Sequence, residues 1–374
     1  MPLSYEEIKR ILRKIEFDKT EPKLLTELVN KAIEIGDKEI RRINKMRQKS
    51  ERLFNFLRDK DILIMLKPNV VLMDFLRKVA VGAVDGSFQV LSGSGGQWFA
   101  FFGVSMILAK NGFTVNPEVN VDGIIETIKC VDEAEAKRIS SEIMMWSETK
   151  ALRRLCEKMI GHNESYILID GPIVDPPLLK DPSYINFRTS TIKFCINNNI
   201  SVIGFVKRII RNEFIKFLQL NFGEQLDLAS FSSDIDLLSG ILHQALSQFG
   251  YPVYTKPIHL LDFLEKSDPT YEIYSLYENN GIKIYHSYYK PTLRSKIYRI
   301  ELASISTLTD NELKEVFDRI LSLIRYIWTL PGMNEPLPII LAHEKCNIRQ
   351  GAAEKLYYEV ITRSLTEEEA YLWL

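Results

Sequence analysis

The amino-acid sequence predicts a mixed α/β fold: a mixed sheet flanked by helices, with a helical N-terminal region and a C-terminal β/α extension. Three observations carry this expectation. The apolar runs VAVGAV (79–84), YILID (166–170) and SVIGFVK (201–207) read as buried strands, and helical patterns separate them. FQVL and WFAFFGVSMILA, broken by SGSGG, follow the first run as a β-meander. A meander followed by β–α units builds a mixed sheet with helices on its faces.

The elements follow in chain order. Residues 4–59 read as helical, with Ile8, Ile11, Leu12 and Ile15 at helical spacing and Leu24, Leu25, Leu28, Ala32 and Ile33 repeating it. DKTEPK, with Pro22, reads as a turn between them. The Lys-, Arg- and Glu-rich stretch 37–61 suits a solvated helix or a dimerisation arm. VDGIIETIKCV, from Val121, continues the β character, and residues 132–160 form a long helix. Pro172, Pro176, Pro177 and Pro182 mark a loop. Residues 213–248 carry helical segments interrupted near SFSSD. YEIYSLYE (271–278), KIYHSYY (283–289) and KIYRIELA (296–303) read as strands, and 310–328 and 350–364 as helices. The expected division is a helical N-terminal region, 1–62, and a main α/β domain with inserted helices, 63–374.

Composition narrows the function classes. The 374 residues are 46% hydrophobic and 26% charged, an ordinary globular balance. The net charge of -1 means that any nucleic acid must be met by a local basic groove. Cys130, Cys156, Cys195 and Cys346 form no CxxC pair, which argues against zinc and disulfide frameworks and suits a reducing, cytoplasmic setting. The opening stretch MPLSYEEIKRILRKIEF is charged and amphipathic, so neither a signal peptide nor a membrane span is expected. No GxxxxGK[ST] motif is present.

The chemistry centres on acids. VAVGAVDGSF climbs through an apolar run to Asp85, and YILIDGP repeats the pattern at Asp170. Each Asp-Gly alone reads equally well as a hairpin turn. Together they could place two carboxylates at one edge of one sheet. On the long helix, Met144, Leu152, Leu155 and Met159 form an apolar stripe, and Glu148 falls within it. A buried carboxylate needs a cation, a hydrogen-bond network or a metal. Salt bridges to Lys150, Arg153 or Arg154 are the alternative for Glu148. Glu142, the competing acid, has mixed neighbours and reads as more exposed. Three clustered carboxylates suit hard divalent cations, and two such ions can activate water for phosphodiester cleavage.

The order AVDGSF, meander, Glu-bearing helix, LIDGP resembles the NurA nuclease family. SVIGFVKR is similar to that family's strand ending in Gly-x-x-Lys, and PLPIILAHE (336–344) to its Pro-x-Pro…Ala-His stretch. The resemblance runs from about Val79 to Ile348. It implies an RNase H-like core and a manganese- (or magnesium-) dependent deoxyribonuclease of the two-metal type. It also implies 5′-to-3′ exonuclease activity, with single-strand endonuclease activity beside it. Its setting would be DNA end resection in repair and homologous recombination, as a homodimer working with a HerA-type hexameric ATPase. By the same resemblance Asp85, Glu148, Asp170 and His343 would be the catalytic and metal-binding residues, His343 being either a metal ligand or a proton shuttle. The sequence departs from the family at NEPLP (334–338), which lacks the usual tyrosine, so either Asn334 or Glu335 has a different role there or a tyrosine arrives from elsewhere. The alternatives are a non-catalytic DNA-binding adaptor of the ATPase, or an RNase H-like nuclease with another substrate.

Lys207, Arg208 and Arg211 follow a buried strand and are candidates for binding the nucleic-acid backbone. The tyrosines between 271 and 298 interleave with basic residues, a pattern that suits single-stranded DNA. Sheet packing is the reading for most of them, and core packing for Phe88. His162, His243, His259 and His286 have no partner at metal spacing and read as structural or surface residues.

Overall fold

A computed structural model describes residues 22–68, 78–93, 96–111, 116–162, 164–174 and 181–364. The expected helix carrying Ile8, Ile11, Leu12 and Ile15 lies outside these residues, as do Pro176 and Pro177. Helix α1 (Pro22–Asp59) leads into the short strand β1 (Leu63–Met65). The meander follows as β2 (Ala80–Ser92), β3 (Gln97–Ala109) and β4 (Glu118–Lys129). Then come α2 (Glu133–Met159), β5 (Ser165–Ile169), α3 (Pro182–Asn197) and β6 (Ile200–Val206). Helices α4 (Glu213–Phe222) and α5 (Asp234–Phe249) precede β7 (Val253–Thr255) and β8 (Ile258–His259). Helix α6 (Pro269–Asn279), β9 (Lys283–Lys290), β10 (Tyr298–Ser304), α7 (Asp310–Ser322), α8 (Leu337–Cys346) and α9 (Gln350–Ser364) complete the described chain.

The strands form one mixed sheet in the order β1-β7-β9-β10-β6-β5-β2-β3-β4, with β8 also on β9. The meander is antiparallel, and β2–β5 and β5–β6 are parallel. This is the RNase H-like arrangement: a three-stranded meander whose first strand is continued by parallel β–α units. Among the described residues no helix is long and apolar enough to cross a membrane.

Alternation along β2 and β5 sorts their side chains between two cores. Ala80, Val84, Ile167 and Ile169 pack with Leu152, Leu155 and Met159 of α2. Val81, Ala83, Tyr166 and Leu168 face the other way, against Phe317 of α7 and Ile339 and Ala342 of α8. Leu53, Phe54 and Leu57 of α1 pack with Leu238 and Leu242 of α5 in a further core.

Two sequence expectations are corrected. The first strand does not end at Asp85, and Asp85-Gly86 is no turn: β2 continues to Ser92, with Asp85 opposite Ser105 of β3. The meander continues the strand through the acid because β3 supplies backbone partners along its whole length. YEIYSLYE is helical, not a strand. Asp268 caps it by accepting a hydrogen bond from Thr270 N–H, Pro269 occupies its first turn, and Ile273, Tyr274 and Tyr277 turn one face into the core. The other tyrosines behave as expected of core residues: Tyr285, Tyr288, Tyr289 and Tyr298 are buried in β9 and β10.

Candidate active site

Two neighbouring parallel strands bring the two aspartates together. Val84 of β2 pairs with Ile169 of β5, and Asp170 N–H donates to the Val84 carbonyl at 3.2 Å. The next residue on each strand is therefore an aspartate. β5 ends there, whereas β2 runs on. Alternation then directs both side chains to the α8 face.

Helix α8 supplies His343, and β2 and β3 hold that helix close. Ser105 Oγ donates to the Ala342 carbonyl at 2.7 Å, and Ser87 Oγ to the Cys346 carbonyl at 2.5 Å. Gly103 of β3 makes this approach possible, since a Cβ there would collide with the Cys346 carbonyl oxygen. The sequence reading assigned no secondary structure to this helix, although Pro336 and Pro338 flank its first residue and mark its start.

The His343 Nδ1 lies 2.9 Å from Asp85 Oδ2 and 3.8 Å from Asp170 Oδ2. One ligand atom from each of Asp85, Asp170 and His343 falls within 4.8 Å of the others. The aspartate side chains are 8% and 10% exposed and the imidazole 57%, so the cluster is walled by protein and open on the histidine side. Asp85 also accepts Gly86 N–H at 2.8 Å and Cys346 Sγ at 3.4 Å. Lys207, just past β6, donates to Asp170 Oδ2 at 2.8 Å and pairs with Glu335 Oε2 at 3.1 Å.

These contacts set the protonation of the acids. Burial raises the Asp85 carboxyl above its ordinary range, and the hydrogen bonds from His343, Cys346 and Gly86 only partly offset it. Burial raises Asp170 too, and the Asp85 charge adds to it against the pull of Lys207. Burial alone would lower the Lys207 ammonium, but its bonds to Asp170 and Glu335 outweigh this and raise it. Paired acids of this kind lack positive charge for both to ionise, which is the condition a divalent cation meets. The two carboxylates match the oxygen-donor preference of Mn²⁺ or Mg²⁺, and the imidazole, a transition-metal ligand, fits Mn²⁺ the better of the two.

Glu148 reaches the same edge from the opposite face. It rises from α2 and packs over Gly86, where an added Cβ would stand 2.7 Å from its Oε1. It is half-buried, as its place in the stripe predicted, but stands outside the cluster formed by Asp85, Asp170 and His343. Two of the alternative partners considered for it are engaged elsewhere, Arg153 with Glu157 and Arg154 with Asp122. Glu142 pairs with Arg138.

The basic candidates separate. Lys207 joins the acids. Arg208 is exposed at the mouth of a cavity on the other face of the sheet, and Arg211, bonded to Glu213 and Thr270, lines the same cavity. One contributor was missed in the sequence. Cys346 lies against Asp85, three residues beyond His343 on the same helix. Glu335 anchors Lys207, and Tyr298 hydrogen-bonds it, so a tyrosine does stand beside the NEPLP segment, delivered by β10. Of the remaining histidines, His259 pairs with Asp262 and His286 is fully buried.

The NurA domain family model matches residues 79–348. No curated protein sequence matches the chain. The crystal structure of the NurA nuclease from Sulfolobus solfataricus superposes with a TM-score of 0.58 at 17% identity, covering 90% of this chain and 96% of that one. A crystal structure of NurA with manganese gives a TM-score of 0.47 at 12% identity, covering 85% and 99%. A crystal structure of NurA bound to dAMP and manganese gives 0.44 at 14% identity, covering 90% and 99%.

Proposed function

The chain belongs to the NurA family, and from that premise we propose that it is a metal-dependent DNA nuclease. It cleaves as a 5′-to-3′ exonuclease, with single-strand endonuclease activity beside it, in DNA end processing. The observation that supports this best is the side-by-side placement of Asp85 and Asp170 with His343 across them. Asp85, Asp170, His343 and, from the other face, Glu148 would hold two Mn²⁺ or Mg²⁺ ions. Such ions supply a water acidic enough to attack at neutral pH and a clamp on the phosphate charge.

The protein's own part is positioning. The register of β2 and β5 aims both carboxylates at one point before any metal arrives, so little reorganisation is needed. Lys207 holds the Asp170 carboxylate and is itself held by Glu335. His343, open to solvent, would serve either as a ligand to the ions or as the group that moves a proton as water attacks and the P–O3′ bond breaks. The products are a 5′-phosphate and a 3′-hydroxyl. As further parts of the proposal, Lys207, Arg208 and Arg211 meet the DNA backbone, and the protein acts as a homodimer with a HerA-type hexameric ATPase. Helix α1, the described part of the expected N-terminal region 1–62, shares a core with α5 and so joins the nuclease domain expected over 63–374.

End-labelled single-stranded DNA with Mn²⁺, with and without EDTA, tests this. The expected result is cleavage that EDTA abolishes and that Asp85→Ala and Asp170→Ala lack while remaining folded. Equal cleavage by all three proteins would overturn the site, and none by any of them, even with the ATPase present, would overturn the activity.

A further inference from the structure

A cavity of about 190 Å³ opens at the carboxyl ends of β5 and β6, on the face opposite the aspartate cluster. Val206 of β6 lines it, whereas Lys207, one residue on, points to Asp170. Pro172 forms another part of its wall, two residues from Asp170. Two residues span at most about 7 Å, so the cavity adjoins the acids across the sheet edge.

Its lining has two characters. Val174, Val206, Ile273 and the ring of Tyr274 make the walls largely apolar. Three guanidinium groups, of Arg208, Arg211 and Arg299, stand among them. Arg299 is 5% exposed and pairs through Nη2 with the buried Glu301 at 2.7 Å, and its Nε has no hydrogen-bond partner. Arg211 donates to Glu213 at 3.1 Å and Thr270 at 2.6 Å, and lies 5.8 Å from the centre of the Tyr274 ring. Glu213 and Glu301 balance two of the three positive charges. Arg208, exposed at the rim, has no ion pair or hydrogen bond among the described residues and leaves the cavity with a surplus positive charge.

We propose that this cavity is a nucleotide subsite, seating one nucleotide unit of the strand next to the cut. Its phosphate meets Arg208 and Arg211, and its base lies against Val206, Ile273 and Tyr274. Bare phosphate would waste the apolar walls, and a neutral apolar ligand would leave Arg208 without an anion. A single nucleotide uses both. Only the identity of the ligand's parent strand rests on the nuclease reading; occupation of the cavity does not.

The test uses the whole protein in EDTA, so that metal-dependent binding and cleavage are silent. Binding of thymidine 5′-monophosphate, thymidine and inorganic phosphate is measured by calorimetry. Arg208→Ala and Ile210→Glu are compared with wild type, since both side chains are exposed at the cavity mouth and neither supports the core. The expected result is that the nucleotide binds at least tenfold more tightly than either fragment, and that both variants weaken it at least tenfold. No nucleotide binding, or binding that neither variant weakens, would overturn the subsite even if the protein cuts DNA. Nucleotide binding that both variants weaken, in a protein that cuts no DNA, would keep the subsite and discard the nuclease reading.

Discussion

Asp170 is a partly buried aspartate and Asp234 a fully buried one, and their surroundings treat them differently. Asp234 is fully buried at the start of α5 and accepts hydrogen bonds from Phe214 N–H, Ile215 N–H and the Tyr288 hydroxyl. Its oxygens are used up in joining α4, α5 and β9. Asp170 has Lys207 on one oxygen and a second aspartate beside it. Burial pushes both carboxyls up, and each has a like charge nearby, Glu213 for Asp234 and Asp85 for Asp170. The difference lies in the donors: three meet the Asp234 carboxylate, whereas Asp170 accepts a hydrogen bond from Lys207 alone among the described residues and keeps capacity for a further cation.

The largest expected effect is on catalysis. Asp85→Asn or Asp170→Asn should lower DNA cleavage by on the order of 10³-fold, about 4 kcal/mol of transition-state stabilisation. Their melting temperatures should be unchanged or higher, because the repulsion between the carboxylates is relieved. Asp234→Ala should do the reverse. It strands two backbone N–H groups and a buried hydroxyl, costing about 3 kcal/mol in denaturant unfolding, with cleavage per folded molecule unchanged.

The pH dependence separates the same residues. Asp234 holds its proton up to about pH 7 in the folded chain, against 3.8 ordinarily. Between those values the folded state binds the extra proton, so the contribution of Asp234 to stability falls as pH rises through that window and levels off above it. The slope approaches about 1.4 kcal/mol per pH unit. Asp234→Asn should flatten that part of the unfolding profile. The smallest effect should come from Gly86→Ala, whose methyl displaces Glu148: a three- to tenfold loss of cleavage rate, roughly 1 kcal/mol, with little change in melting.

Much of this contrast was legible in the sequence, and the rest was hidden for physical reasons. Asp85 and Asp170 stood out because each interrupts an apolar run, and Glu148 because it interrupts an apolar stripe. That Glu148 would approach from the other face was not legible, since it depends on the parity of β2 relative to the helix packed on it. That β2 would run on past Asp85 was not legible either: twelve residues of pairing with β3 override the local turn chemistry of Asp-Gly. The segment 271–278 was misread because tyrosine and isoleucine favour strands, while its cap, Asp268-Pro269, lay just upstream. Asp234 drew attention only as part of a polar interruption between helices, because its three donors come from distant parts of the chain.

The most direct test of the contrast is Mn²⁺ binding to the DNA-free protein, followed by electron paramagnetic resonance. The account predicts that wild type and Asp234→Asn bind the ion with similar affinity and that Asp85→Asn binds it at least tenfold more weakly. Equal binding by Asp85→Asn would contradict the assignment of the Asp85, Asp170 and His343 cluster as the metal site.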